Sequence, residues 1–181
     1  MKNVIIFSLA IILAAAAGFG VQRYLATDAI TDVDAINPVI GKVRPEFAML
    51  DLDGNIRNIR DWEGQVVLLN FWATWCPPCL EEIPHFIEMQ ESLDNKGLQI
   101  VGIAVDNEED VRQFASDMGM NYPVMAGETE AIELSQRYGN SIGGLPFSAI
   151  IDQNGKVTHT ITGILSKDRL IAILRELGLE A

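Results

Sequence analysis

Residues 66–84 read V-V-L-L-N-F-W-A-T-W-C-P-P-C-L-E-E-I-P. The order is an apolar run, a short loop, two cysteines spaced C-x-x-C, and the opening of a helix. Residues 66–71 form a near-continuous apolar run, the mark of a strand buried on both faces in a parallel sheet. A helix is expected over 77–93, which places Cys76 at its N-terminus. Unpaired N–H groups and the positive end of the macrodipole favour an anion there. The anion is a thiolate, the nucleophile of disulfide chemistry. The pattern therefore points to Cys76 as the attacking sulfur and Cys79 as the one that resolves the mixed disulfide.

Pro77 and Pro78 suit the first helical positions, where their missing N–H groups have no intrahelical acceptor. They also remove two donors from the Cys76 sulfur, leaving the Cys79 N–H and the macrodipole to stabilise the thiolate. Taking Cys79 as reference, Ile83 and Phe86 follow on its helix face at i+4 and i+7, so Cys79 looks inward and Cys76 sits at the exposed tip. Glu82 lies at i+3 from Cys79. By spacing alone it reads as a solvated helix acid, although a carboxylate there could move the resolving proton. Pro84 is expected to kink the helix. His85 reads as a surface residue.

Working outward, the 181 residues fit one domain with an N-terminal extra. The formal charge of −12 argues against a nucleic-acid partner. Both cysteines lie in the one motif, which leaves none for a separate structural disulfide. With two histidines that lack metal-site spacing, no structural metal is expected. Residues 4–21 are apolar and uncharged, near the lower length for spanning a bilayer. They fit a signal-anchor or a cleaved signal peptide with an A-x-A site at 15–17. The run continues past that site, which favours the anchor. The expected organisation is a signal segment over 1–23, a linker over 24–42 and a globular domain over 43–181. Export would place the domain in the periplasm or on the outer face of the cytoplasmic membrane, where disulfides persist.

Within the domain, Asp53-Gly54 predicts a hairpin joining 47–52 to 55–59, with Trp62 packed beneath it. A strand follows at 98–105, and helices at 107–118 (capped by Asp106 or Asn107) and 129–138. Asn154-Gly155 predicts a second hairpin joining 147–152 to 157–162. An amphipathic helix over 166–177 closes the chain. Alternating strands and helices, then a hairpin and a helix, indicate an α/β sheet with an antiparallel edge.

The stretch F-W-A-T-W-C-P-P-C-L-E-E-I-P resembles the active site of the thioredoxin superfamily, specifically the membrane-tethered TlpA/ResA-like thiol-disulfide oxidoreductases. The likeness extends from about residue 43 to the C-terminus. It takes in the leading hairpin, G-L-P at 144–146 and I-D-Q-N-G-K-V at 151–157. It implies a thioredoxin-like fold, a central mixed sheet flanked by helices with an N-terminal hairpin and a central helical insertion at 106–138. It also implies a redox-active Cys76–Cys79 disulfide with no other cofactor. Glu82 matches a family acid beside the active site, which reverses its surface reading. Pro146 matches a cis-proline facing the disulfide, with the Leu145 backbone pairing with a partner chain. Trp75 and Pro77 would flank the sulfur as contact surface, and Trp72 reads as core. Asn70 stands where many thioredoxins carry a buried aspartate. Phe147 stands where a small hydroxyl residue is common, which would alter substrate contacts.

No histidine separates the cysteines, so the pair is expected to be reducing, nearer the roughly −270 mV of thioredoxin than the roughly −120 mV of DsbA. The leading expectation is a reductase of disulfides in exported proteins, fed by a membrane thiol donor, with cytochrome c maturation as the family task that most often needs one. A thiol peroxidase is the alternative enzyme, but Ala73 occupies the position where that chemistry expects threonine. A copper-delivery or redox-sensing module is the non-enzymatic alternative.

Overall fold

The computed structural model describes residues 37–180. The expected signal segment over 1–23 and most of the expected linker lie outside the described residues.

Five strands form a mixed sheet in the order β5-β4-β3-β6-β7. They are β3 (Val66–Trp72), β4 (Leu98–Ala104), β5 (Val124–Ala126), β6 (Phe147–Ile151) and β7 (Val157–Thr162). Parallel pairing joins β3 to β4 and β4 to β5; antiparallel pairing joins β3 to β6 and β6 to β7. The four helices of the described residues are α1 (Pro77–Leu93), α2 (Glu108–Met118), α3 (Thr129–Arg137) and α4 (Lys167–Glu176).

Every residue of β3 is buried, because the strand is central and both its faces are covered. Val66, Leu68 and Trp72 pack with Ile83 and Phe86 of α1, Val111 of α2 and Leu170 of α4. Val67, Leu69 and Phe71 point the other way, against Leu134 of α3 and against Phe47, Ile59 and Trp62. Period-two alternation thus survives in three dimensions, although both faces are apolar. Gln90 of α1 joins helix to sheet: its Oε1 accepts from the Ile100 amide of β4 at 2.6 Å.

The N-terminal hairpin comprises β1 (Ala48–Leu50) and β2 (Ile56–Asn58), with Trp62 buried beneath it in the same apolar cluster as Phe47. Its turn is organised by Asp51, whose carboxylate accepts from the Asp53 and Asn55 amides and pairs with Arg57 at 2.7 Å. The second hairpin turns at Gly155, whose φ of +75° suits glycine. There the Asp152 carboxylate accepts from the Asn154 and Lys156 amides.

One expectation changes. The inserted segment holds a strand as well as helices. β5 has only three residues and follows Pro123, too short to show a period, yet it pairs as the sheet's edge. Pro84 lies inside α1, which is one helix of 17 residues. Residues 37–42, just before the expected start of the globular domain, bond to it. The Gly41 amide donates to the Val157 carbonyl at 2.7 Å, and Val157 donates back to Lys42 at 3.0 Å. Asn37 Nδ2 donates to the Gly139 carbonyl and to Thr160 Oγ1, each at 3.1 Å. These bonds clothe part of the free edge of β7, which would otherwise present unpaired backbone.

Candidate active site

The loop between β3 and α1 carries the cysteines. Thr74 and Trp75 are the corners of a turn closed by the Cys76 amide, which donates to the Ala73 carbonyl at 3.2 Å. Cys76 is the N-cap of α1 in extended conformation, and Pro77 and Pro78 occupy the first helical positions. Cys76 and Cys79 form a disulfide. Cys79 is wholly buried and Cys76 keeps 5% of its surface exposed.

The expected order of access is kept, but Cys76 is less open than a sulfur at an exposed tip. Its bond to the inward-facing Cys79 draws it toward the core. What projects into solvent is Trp75, at 65% exposure. The Cys79 amide, expected to face the Cys76 sulfur, donates instead to the Cys76 carbonyl at 3.0 Å. In the disulfide form the macrodipole and the helix N-terminus remain as the features favouring an anion at Cys76.

Glu82 is fully buried. Its Oε1 accepts from Asn70 Nδ2 at 2.6 Å, and its Oε2 accepts from the Leu165 amide at 2.8 Å. Burial pushes its pKa up to about 7, while the Leu165 and Asn70 donors pull the other way. Near neutral pH both forms of the carboxyl are therefore populated. Asn70 also donates to Ser148 Oγ at 3.1 Å, tying β3, α1 and β6 together at one point. The helix face alone marks Glu82 as a surface acid; the strand partner Asn70 and the α4-proximal loop at Leu165 bury it.

The Leu145–Pro146 peptide bond is cis, and the pair immediately precedes β6. Phe147 does not reach the substrate side. It is buried against Phe71 on the sheet face opposite the disulfide, with ring centroids 5.9 Å apart, because inward alternation along β6 turns it there. Trp72 is core, packed at a tilt against Phe114 with ring centroids 5.2 Å apart. His85 is exposed. Among the described residues no group of three or more His, Cys, Asp or Glu is placed to hold a metal ion. Sequence reading missed Ser148 and the Leu165 amide, which meet the motif only through strand pairing and chain return.

Comparison with known proteins fits this geometry. Residues 40–160 match the AhpC/TSA family. The chain is 33% identical to the thiol-disulfide oxidoreductase ResA of Bacillus anthracis, over 97% of this chain and 98% of that protein. The chain belongs to the AhpC/TSA family of the thioredoxin superfamily. Among solved structures it resembles a thiol:disulfide interchange protein of the thioredoxin family from Chlorobium tepidum TLS. That match has a TM-score of 0.69 and 33% identity, covering 75% of this chain and 94% of the other. A putative thiol:disulfide interchange protein DsbE from Chlorobium tepidum matches with a TM-score of 0.66 and 29% identity, covering 77% and 96%. This AhpC/TSA member has the thioredoxin-like fold and is a thiol-disulfide oxidoreductase, with the Cys76–Cys79 pair as its C-x-x-C centre.

Proposed function

We propose that the protein works mainly as a reductase of disulfides in exported proteins, with Cys76 attacking and Cys79 resolving. The observation that carries the reading is the asymmetry of the pair. The N-cap sulfur keeps some access, while the sulfur one turn inside is sealed and followed three residues later by a buried acid. In the reduced protein the Cys76 thiolate attacks one sulfur of a substrate disulfide. A Cys76–substrate disulfide forms and the other substrate sulfur leaves as thiolate. The Cys79 thiol then gives its proton to the Glu82 carboxylate, and the resulting thiolate attacks the Cys76 sulfur. The second substrate sulfur leaves, the substrate has gained two electrons, and the enzyme holds the Cys76–Cys79 disulfide. A membrane thiol donor would return two electrons and restore the dithiol.

Trp75 and Pro77 would flank the incoming chain, and the Leu145 backbone beside cis-Pro146 would pair with it. Residues 4–21 would anchor the domain outside the cytoplasm, and cytochrome c maturation is the task proposed for it. The likeness to thiol-disulfide oxidoreductases, and an alanine rather than a threonine at position 73, favour exchange over peroxide reduction.

Trapping tests the reading. In cells, Cys79→Ser should accumulate mixed disulfides between Cys76 and exported proteins, and adding Cys76→Ser should abolish them. The purified pair should equilibrate near −270 mV. A potential above roughly −180 mV, the value for protein disulfide isomerase, would make it an oxidase instead.

A further inference from the structure

We infer that Asp106 is a positioning residue for the attacking thiol: it pins the turn that carries Cys76 and holds a carboxyl group on that turn at Thr74, keeping the pair reducing. Sequence reading offered Asp106 only as a helix cap. The structure gives that task to Asn107, whose side chain accepts from the Asp110 amide. Asp106 is thereby free for another.

It lies just past the end of β4, where the β3–β4 ladder closes with the Val105 amide donating to the Trp72 carbonyl at 2.8 Å. Its Oδ2 accepts from the Thr74 amide at 3.1 Å and from Thr74 Oγ1 at 2.5 Å. Its Oδ1 accepts from the Asn107 amide at 2.9 Å and from Asn107 Nδ2 at 3.3 Å. All four contacts bring donor-capable groups to the two carboxyl oxygens. The side chain is 8% exposed.

Thr74 is the first corner of the turn whose closing amide is that of Cys76. Fixing Thr74 to the neighbouring strand therefore fixes where Trp75 projects and where Cys76 meets the helix. A carboxylate held there also disfavours a second negative charge on the Cys76 sulfur. The thiolate belongs to the reduced form, so the charge weights the equilibrium toward the disulfide. The dithiol becomes the better electron donor.

This inference rests on Cys76 being the attacking sulfur. The full chain is equilibrated in dithiothreitol redox buffers, and the reduced fraction is read by alkylation and mass. Asp106→Asn keeps an acceptor for Thr74 but removes the charge. It should move the thiol–disulfide equilibrium constant about tenfold toward the dithiol, about 30 mV upward. Thr74→Val removes a donor but keeps the charge, now less compensated. It should move the constant about threefold the other way. A purely structural role predicts lower melting temperatures with neither shift. Asp106→Asn within twofold of wild type, or Thr74→Val moving toward the dithiol, overturns the proposal. If Asp106→Asn does not fold, the sign of the Thr74→Val shift decides alone. The underlying assignment is tested separately: one equivalent of iodoacetamide should label Cys76 of the reduced wild type. Label at Cys79 would remove the attacker assignment while leaving the two potentials to be read.

Discussion

Glu82 is a buried acid whose titration carries a cost in stability. Unfolded, it titrates near the usual 4.5; folded, burial lifts it to about 7. Between those values the native state holds a proton that the unfolded state has lost, so stability falls as pH rises through that window and levels off above it. The loss amounts to about 3 kcal/mol at neutral pH. Urea unfolding of the reduced protein across pH 4.5–7 should show this slope, and Glu82→Gln should flatten it. On the proposed mechanism the same substitution leaves no base for the Cys79 proton. Decay of a preformed Cys76–substrate disulfide should then slow about 100-fold at pH 7, as measured by rapid acid quench. An unchanged decay rate would return Glu82 to a structural role. The orphan Oδ1 of Asn70 belongs to the same network. Its amide is oriented with both donor contacts toward Glu82 and Ser148, which leaves the acceptor without a partner.

The elements nearest the chemistry were also the most legible. The apolar run at 66–71 and the prolines after Cys76 state strand, loop and helix start in a dozen residues, and β3 and α1 lie where they indicate. Local rules decide such features: burial on two faces, and N–H groups that a proline need not supply. β5 was illegible because three residues carry no period, and its strand state comes from pairing with Gly102–Ala104 and from a bridge between Met125 and Asp51. Glu82's burial was equally hidden, since α4 and the loop before it arrive from more than eighty residues away. Gln90 is the element-scale counterpart. It sits on the inner face of α1, 2% exposed, and supplies the acceptor for the Ile100 amide. Gln90→Leu keeps the volume but strands that amide in the core. It should cost about 1–3 kcal/mol in urea unfolding, while Gln90→Glu, which retains an acceptor, should cost less.

At the scale of the molecule, the resemblance, which runs from the leading hairpin through the motif to G-L-P at 144–146 and I-D-Q-N-G-K-V at 151–157, was enough to indicate the mixed sheet and its covering helices. It says less about the residues that precede it. The boundary expected at Val43 followed the last mixed, Pro- and Gly-containing residues before a hairpin. Composition cannot show that 37–42 lies along β7. The exchange of hydrogen bonds between Gly41, Lys42 and Val157, with the Asn37 side chain bridging Gly139 and Thr160, makes this segment part of the sheet's edge. At about 1 kcal/mol net for each hydrogen bond, its removal should cost about 2–4 kcal/mol. For a chain of this size that lowers the melting temperature by about 5–10 °C. A protein starting at Asn37 should therefore melt with the full-length chain and reduce insulin at the same rate. One starting at Arg44 should melt earlier by that margin, and its newly bared β7 edge should make it prone to associate on heating. Equal melting of the two truncations, followed by calorimetry, would show that the segment only lies against the strand without holding it.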